Sequence, residues 1–365
     1  MGMPNVSISF SEVAASAVKR GERGIIAMIL KDKIYKNQAV EIFAESDIPK
    51  TMKEFNKEQI KLAMIGYINK PKKIIAYIMD EEAEEVNYTD ALAYLEVNKF
   101  NYLVIPTVET DGMKADVVSW IKSMRDNKKK VKAILPNMDA DYDGIINYTT
   151  DTVYIGAKTY TTEEYCSRIA GIIAGTPLRI SCTYAPLNEL TDCSKLNKED
   201  MDKAVDNGEF IVWWDGEKVK TGRAVTSLKT TTSEKGDKFK KIKIVDTIDM
   251  IYEDIRKTAE DSYLGKYENS YDNKGLLISA ILGYFESLKQ QKILGSYSVD
   301  IDVEANRAYL MSKGGNVKID GGEEKKLEDC TDDDIRKADT GENVFLKASI
   351  SIYDAIEDIV LPITI

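Results

Sequence analysis

From residue 344 to residue 365 apolar and polar side chains alternate, and this pattern limits the chain to folds that finish on a sheet. Val344, Leu346, Ala348, Ile350 and Ile352 fall on one face, with Lys347, Ser349, Ser351 and Tyr353 opposite, the two-residue period of a half-buried β-strand. A short acidic joint, residues 354–358, leads to a second run in which Ile359, Leu361, Ile363 and Ile365 share a face. Burying four such side chains is worth about 1.5–3 kcal/mol each as an upper bound, so cover is expected for them. Pro362 has no N–H and restricts this run to a sheet edge or a strand end. The stretch is expected to be an edge strand that joins a sheet, one in another subunit included.

The opening residues mirror this ending. Val6, Ile8 and Phe10 alternate with Ser7 and Ser9, and residues 11–24, with Gly21 and Gly24, read as a tether. Between the two ends the expected fold class is α/β and α+β multidomain. Residues 1–23 form a strand arm and tether, 24–88 a small β-rich domain, 89–245 an α/β domain, 246–353 an α+β domain and 354–365 a second strand arm. Within 24–88, residues 25–30, 39–44 and 73–79 are strand-like, Asn56 and Gln59 resemble a capping box, and the acidic residues 80–85 mark a boundary. From residue 89 helices and strands alternate, which places helices on the faces of a sheet. Thr161 and Glu164 frame a capping box for a helix stopped by Gly175 and Pro177. Asn197 caps a short helix, and Asp215-Gly216 signals a hairpin. Residues 239–245 read as strand, Asp246 or Thr247 as the cap of a long helix, and residues 275–292 as a second one.

Composition narrows the function. The 50 basic and 61 acidic residues give a net charge of −11, which argues against bulk nucleic-acid binding. Residues 1–10 show neither a basic nor an apolar leader region, and no apolar run approaches the ~20 residues of a membrane helix; neither secretion by a leader nor membrane insertion is expected. Cys166, Cys182, Cys193 and Cys330 make no C-x-x-C pair and are expected to be reduced thiols. Histidine is absent altogether, which removes Ser-His-Asp and Cys-His catalysis and histidine-ligated metals while leaving carboxylate and lysine chemistry open.

Asp139, Asp141, Asp143 and Gly144 match the start of a calcium loop, but the twelfth position is Thr150 where a bidentate Glu belongs. A structural turn is the preferred reading, and no metal or other cofactor is expected. Trp213 and Trp214 are adjacent in a strand and face opposite ways. Lys289 and Lys292 stand at the end of the second long helix, three apart, where they either complement the helix dipole or meet an acidic partner surface. An α/β enzyme of the dehydrogenase or hydrolase kind remains the alternative to a structural protein.

Taken in order, these pieces resemble the contractile tail sheath proteins of phages and phage-tail-like particles, with PBSX-like elements and R-type bacteriocins of Gram-positive bacteria the nearest in kind. The residues that carry the resemblance are Ile169-Ala170-Gly171-Ile172-Ile173-Ala174-Gly175-Thr176-Pro177, Arg223-Ala224-Val225-Thr226-Ser227-Leu228, residues 239–251, and the amphipathic last strands. The resemblance implies a non-enzymatic subunit that polymerises helically around an inner tube and contracts to drive that tube through a target envelope. It implies a subtilisin-like middle domain without a protease site, and terminal arms that complete sheets in neighbouring subunits. The inter-subunit strands would then be Val6, Ile8, Phe10, Ile359, Leu361, Ile363 and Ile365. Gly21, Gly24, Asp354 and Asp358 would serve as hinges, and Lys289 and Lys292 as candidate tube contacts. The implied partners are further copies of the chain, the inner tail tube protein, and the baseplate and tail terminator proteins. Assembly would take place in the bacterial cytoplasm, before release of the particle.

Overall fold

The computed structural model describes Val18, residues 21–319, Gly322 and residues 324–364. Val6, Ile8, Phe10 and Ile365 lie outside the described residues. The rest forms two compact units, Glu22–Asp249 with residues 354–364, and Met250–Tyr353 joined by Gly21.

The first unit is built on a seven-stranded sheet. Its strands are β1 (Ile25–Asp32), β2 (Gln38–Ile42), β3 (Lys73–Asp80), β4 (Tyr102–Val104), β5 (Lys132–Pro136), β6 (Ile145–Tyr148) and, later in the chain, β10 (Glu209–Phe210), in the order β10-β6-β5-β4-β1-β3-β2. All pairs are parallel except β2 with β3. Parallel strands need both faces covered, so they read as continuous apolar runs. In β1, Ile26, Met28 and Leu30 enter one core and Ile25, Ala27 and Ile29 the other. Helices α1 (Glu54–Met64) and α4 (Thr162–Ala174) supply the first core, and α2 (Thr89–Val97) with α3 (Lys114–Asp126) the second. A Cβ on Gly171 would stand 2.2 Å from the Ala63 carbonyl oxygen; the glycine is what lets α4 lie that close to α1. Smaller pieces complete the unit: the sheet β8-β7-β9 from β7 (Thr152–Ile155), β8 (Lys158–Thr161) and β9 (Asp192–Cys193), helix α5 (Lys198–Asp206), and the hairpin of β11 (Val212–Trp214) and β12 (Val219–Thr221).

Residues 24–88 therefore do not make a sheet of their own, because β1 pairs with β4 as well as with β3. The acidic stretch that suggested a boundary is a surface turn, where Asp80, Glu81 and Glu82 pair with Lys36, Lys53 and Lys33. Asn56 and Gln59 are not a capping box either. Both are buried inside α1, and the Asn56 amide donates to the Lys31 carbonyl at 2.8 Å.

Helix α6 (Ile242–Ser262) begins earlier than the sequence suggests and passes from the first unit into the second. The alternation over 239–245 reads as strand, yet Ile242 and Val245 also stand one helical turn apart, and both are buried. Asp246 and Thr247 thus lie within the helix, and the Thr247 hydroxyl donates to the Lys243 carbonyl at 2.8 Å.

In the second unit α7 (Tyr271–Gln290) packs Ile281, Tyr284, Phe285 and Leu288 beside β13 (Leu294–Ile301). Helix α8 (Val303–Ser312), the hairpin β14 (Asn316–Lys318) with β15 (Glu324–Lys326), and α9 (Asp332–Lys337) enclose a small core of Leu310, Val317, Leu327 and Ile335. Strand β16 (Leu346–Ile352) then returns antiparallel to β13, with Leu294 opposite Ile352 and Ile301 opposite Leu346.

Candidate assembly surface

An enzyme of doubly wound type would bind its ligand beyond the carboxyl ends of the parallel strands. Here the carboxylates in that region are tied into structure. Asp32 ends β1 and accepts the main-chain N–H groups of Lys53 at 2.7 Å and Ile34 at 2.8 Å. Burial raises its pKa, and these bonds with one from Asn56 outweigh that, leaving the group lowered. Asp111 accepts from the Tyr88 hydroxyl at 2.5 Å, the Lys31 ammonium at 2.5 Å and the Thr107 hydroxyl at 2.8 Å. Glu163 accepts the N–H groups of Glu109 and Thr110.

The three aspartates of the calcium-like loop are also tied into structure. Asp139 pairs with Lys229 at 2.5 Å, and Asp143 pairs with Lys235 at 2.8 Å and with Arg125. Asp141 accepts the N–H groups of Lys229 and Thr230, and bonds from the Thr230 side chain and main chain lower its pKa to about 2. The loop works as a turn that ties residues 229–230 to the sheet. All four cysteines are free and buried. Trp213 meets the Tyr184 ring at 5.6 Å, while Trp214 packs against the core.

The sequence did not reveal a buried ionic cluster under the first turns of α6. Lys132, in the middle of the sheet, reaches Asp246 at 3.0 Å and Asp249 at 2.5 Å, and Arg125 from α3 grips Asp249 with both terminal nitrogens at 2.8 and 3.1 Å. The Tyr102 hydroxyl donates to Asp246 at 2.6 Å. Burial raises the Asp249 carboxyl, but the Lys132 and Arg125 charges prevail and hold it below its ordinary range. Burial, and next the Asp246 charge, push the Tyr102 phenol well above its ordinary value. A lysine inside the apolar run of residues 131–135 was the available signal.

At the chain's end, β16 forms where the alternation placed a strand, with Leu346, Ile350 and Ile352 half-buried and Lys347, Ser349 and Ser351 exposed. Among the described residues β13 and β16 pair only with each other, so each keeps an unpaired outer edge. The following residues, 354–364, lie outside any helix or strand. Ile359 is 82% exposed, Val360 92%, Leu361 74% and Ile363 77%. The second apolar run is thus not a strand in the single chain, since an edge strand needs a neighbour to supply its hydrogen bonds.

The acidic joint before that run is not loose. Lys241 pairs with Asp354 at 2.6 Å and with Glu357 at 3.2 Å. Arg223 holds both Asp358 oxygens at 2.7 and 2.9 Å, and the Thr183 hydroxyl donates to Glu357 at 2.6 Å. Gly21 donates its N–H to Asp254 at 2.8 Å. Gly24 is wedged: its φ is +77°, and a Cβ there would stand 2.9 Å from the Ala174 carbonyl oxygen, so it serves a close approach and is a poor swivel. Lys289 lies 5.6 Å from the centre of the Tyr297 ring, whereas Lys292 has left the helix with φ +57° and does not continue its face.

The sequence pattern of the phage tail sheath protein central domain matches residues 81–227, and that of the sheath C-terminal domain matches residues 234–365. A tail sheath protein of Clostridium phage phiCD119 is 38% identical over 367 residues, covering 98% of each chain. The chain belongs to the phage tail sheath family. The phage-like element PBSX protein XkdK of Bacillus subtilis is 30% identical over 182 residues, 49% of this chain and 39% of that protein. The fold extends further than sequence likeness does. A helical sheath protein of the anti-feeding prophage, solved in the contracted state, superposes with a TM-score of 0.67 at 15% identity, covering 100% of this chain and 99% of that one. This tail sheath protein therefore has a mixed α/β, multidomain sheath fold. Among its described residues no helix is long and apolar enough to cross a membrane.

Proposed function

We propose that this sheath protein is a non-enzymatic structural subunit that assembles with copies of itself into a helical tube around an inner tail tube, and that the tube contracts. One observation carries the reading: an apolar run exposed on Ile359, Leu361 and Ile363 stands in the same chain as a two-stranded sheet whose outer edges are unpaired among the described residues. Strand addition answers both, because each added strand satisfies a row of N–H and C=O groups and buries an apolar face. In this reading the β13–β16 pair accepts residues 359–365 of one neighbour on one edge and residues 5–10 of another on the other.

The contracted state of the related anti-feeding prophage sheath supports contraction. The extended tube would be kinetically trapped and the contracted one lower in free energy. Gly21 and Asp354 stand at two of the places where the chain passes from one unit to the other, and we assign dihedral change to them. The seven-stranded unit would be the subtilisin-like middle domain, with its strand ends committed to structural bonds. Lys289 and Lys292 remain candidates for the tube contact, and baseplate and terminator proteins for the two ends. Assembly would occur in the bacterial cytoplasm, before release of the particle.

The test is truncation. Removing residues 359–365 leaves folded subunits that make no tubes by electron microscopy; normal tubes from that variant overturn the reading. Open helical tubes from the intact chain also separate it from a closed-symmetry enzyme.

A further inference from the structure

The joint at residues 354–358 is held by a built seat. Three separate segments contribute: Thr183 from the loop after α4, Arg223 from just beyond β12, and Lys241 from just before α6. Each donates to a carboxylate of the joint. Glu357 is the central one, with a side chain only 6% exposed, Thr183 on one oxygen, and Lys241 at 3.2 Å and Arg223 at 3.6 Å from the other. Thr183 is itself fixed, since its hydroxyl oxygen accepts the Ala224 N–H at 3.0 Å and lies 2.8 Å from the Ser181 hydroxyl. Arg223 meets Asp358 through a two-pronged contact, the geometry in which guanidinium and carboxylate bind with direction as well as charge. Burial lowers the Lys241 pKa, and bonds and charges from Asp354 and Glu357 outweigh it, leaving Lys241 raised; the Asp358 bond does the same for Arg223. Immediately past the seat every described aliphatic side chain is exposed.

We propose that Thr183, Arg223 and Lys241 form a carboxylate seat that keeps residues 354–358 on the subunit's own body while the residues after them pair with a second copy. The joint is then a fixed station, and the chain turns only where it enters and leaves it. The seat aims the apolar run: a strand launched from a fixed point loses less freedom on pairing than one on a loose twelve-residue tail. This deepens the assembly reading and rests on it for the second copy, but the seat itself is a property of the free subunit and can be tested there.

The four native cysteines are buried, so a cysteine on the exposed joint takes a nitroxide label selectively. In free subunits a label on I356C is expected to be motionally restricted and one on L361C mobile. The R223A/K241A double variant is expected to free the first, with a several-fold shorter correlation time, and E357Q, which preserves shape, to act in the same direction to a smaller extent. Thermal melting confirms that these variants are folded. A mobile label on I356C in the parent chain, or a restricted one indifferent to R223A/K241A and E357Q, overturns the seat. In tube formation, R223A/K241A should raise the subunit concentration needed by about tenfold, and R223K, which keeps the charge but loses the two-pronged contact, should raise it less. An unchanged threshold removes the aiming role. Tubes formed without residues 359–365 would instead sink the assembly reading and leave the labelling result standing.

Discussion

The seven-stranded sheet and the β13–β16 sheet are built to opposite rules. The first has helices on both faces and a charged cluster sealed between β5 and α6; the second is two strands wide, with half-buried or exposed side chains along β16 and, among the described residues, no neighbouring strand on either side. An isolated pair of strands is marginal in water unless something packs against it, and here α7 packs along β13. The contrast separates a rigid body from an incomplete one. The buried sheet carries the stability of a single chain, and under the proposed strand exchange the open sheet gains stability that only a second chain supplies.

That contrast predicts where substitutions register. Lys132→Leu leaves Asp249 and Asp246 short of a buried partner and should cost about 3–5 kcal/mol in denaturant unfolding of the first unit. A parent-like midpoint would show that the ionic cluster contributes little. Gly171→Ala forces a methyl group into the Ala63 carbonyl, and overpacking of this kind costs about 1–3 kcal/mol; a melting scan would register it. Acid should act through the same cluster. Asp249 is held below its ordinary 3.8, so its contribution is complete above about pH 4 and is lost as the pH falls through the depressed folded value. Melting temperatures recorded downward from neutral should hold level to about pH 4 and then drop, less steeply in Lys132→Leu. At the far end, Ile359→Ser with Leu361→Ser should alter the free subunit's stability by no more than about 0.5 kcal/mol while suppressing tubes in electron micrographs. A large destabilisation of the free subunit would mean that the apolar run is already buried in one chain.

Local patterns in the sequence translated well into local structure. The alternation at residues 344–353 became β16, Thr161 and Glu164 form the expected capping box on α4, and Asp215-Gly216 turns the β11–β12 hairpin. Long-range pairings were not legible. Lys132 and Asp249 are 117 positions apart, and nothing in either neighbourhood names the other. Nothing near Arg223 or Lys241 marked them as partners of the acidic joint, because the residues they hold lie more than a hundred positions further on. The start of α6 was misread for a physical reason: a short apolar alternation fits a strand and a helix equally until its partners are known. Acidic residues 80–85 misled in the same way, being a charged turn inside a unit where a border was expected.

Two open edges give each subunit a valence. Under the exchange proposed above every copy offers two acceptor edges and supplies two strands, so supply and demand balance throughout the interior of a tube. At a growing tip they do not balance: the outermost ring always holds vacant edges or unspent strands. Growth consumes one vacancy and creates another, which makes addition self-renewing and gives the subunit no internal ruler. Tube length must then be imposed from outside the chain, by whatever occupies the last ring without offering an edge in return.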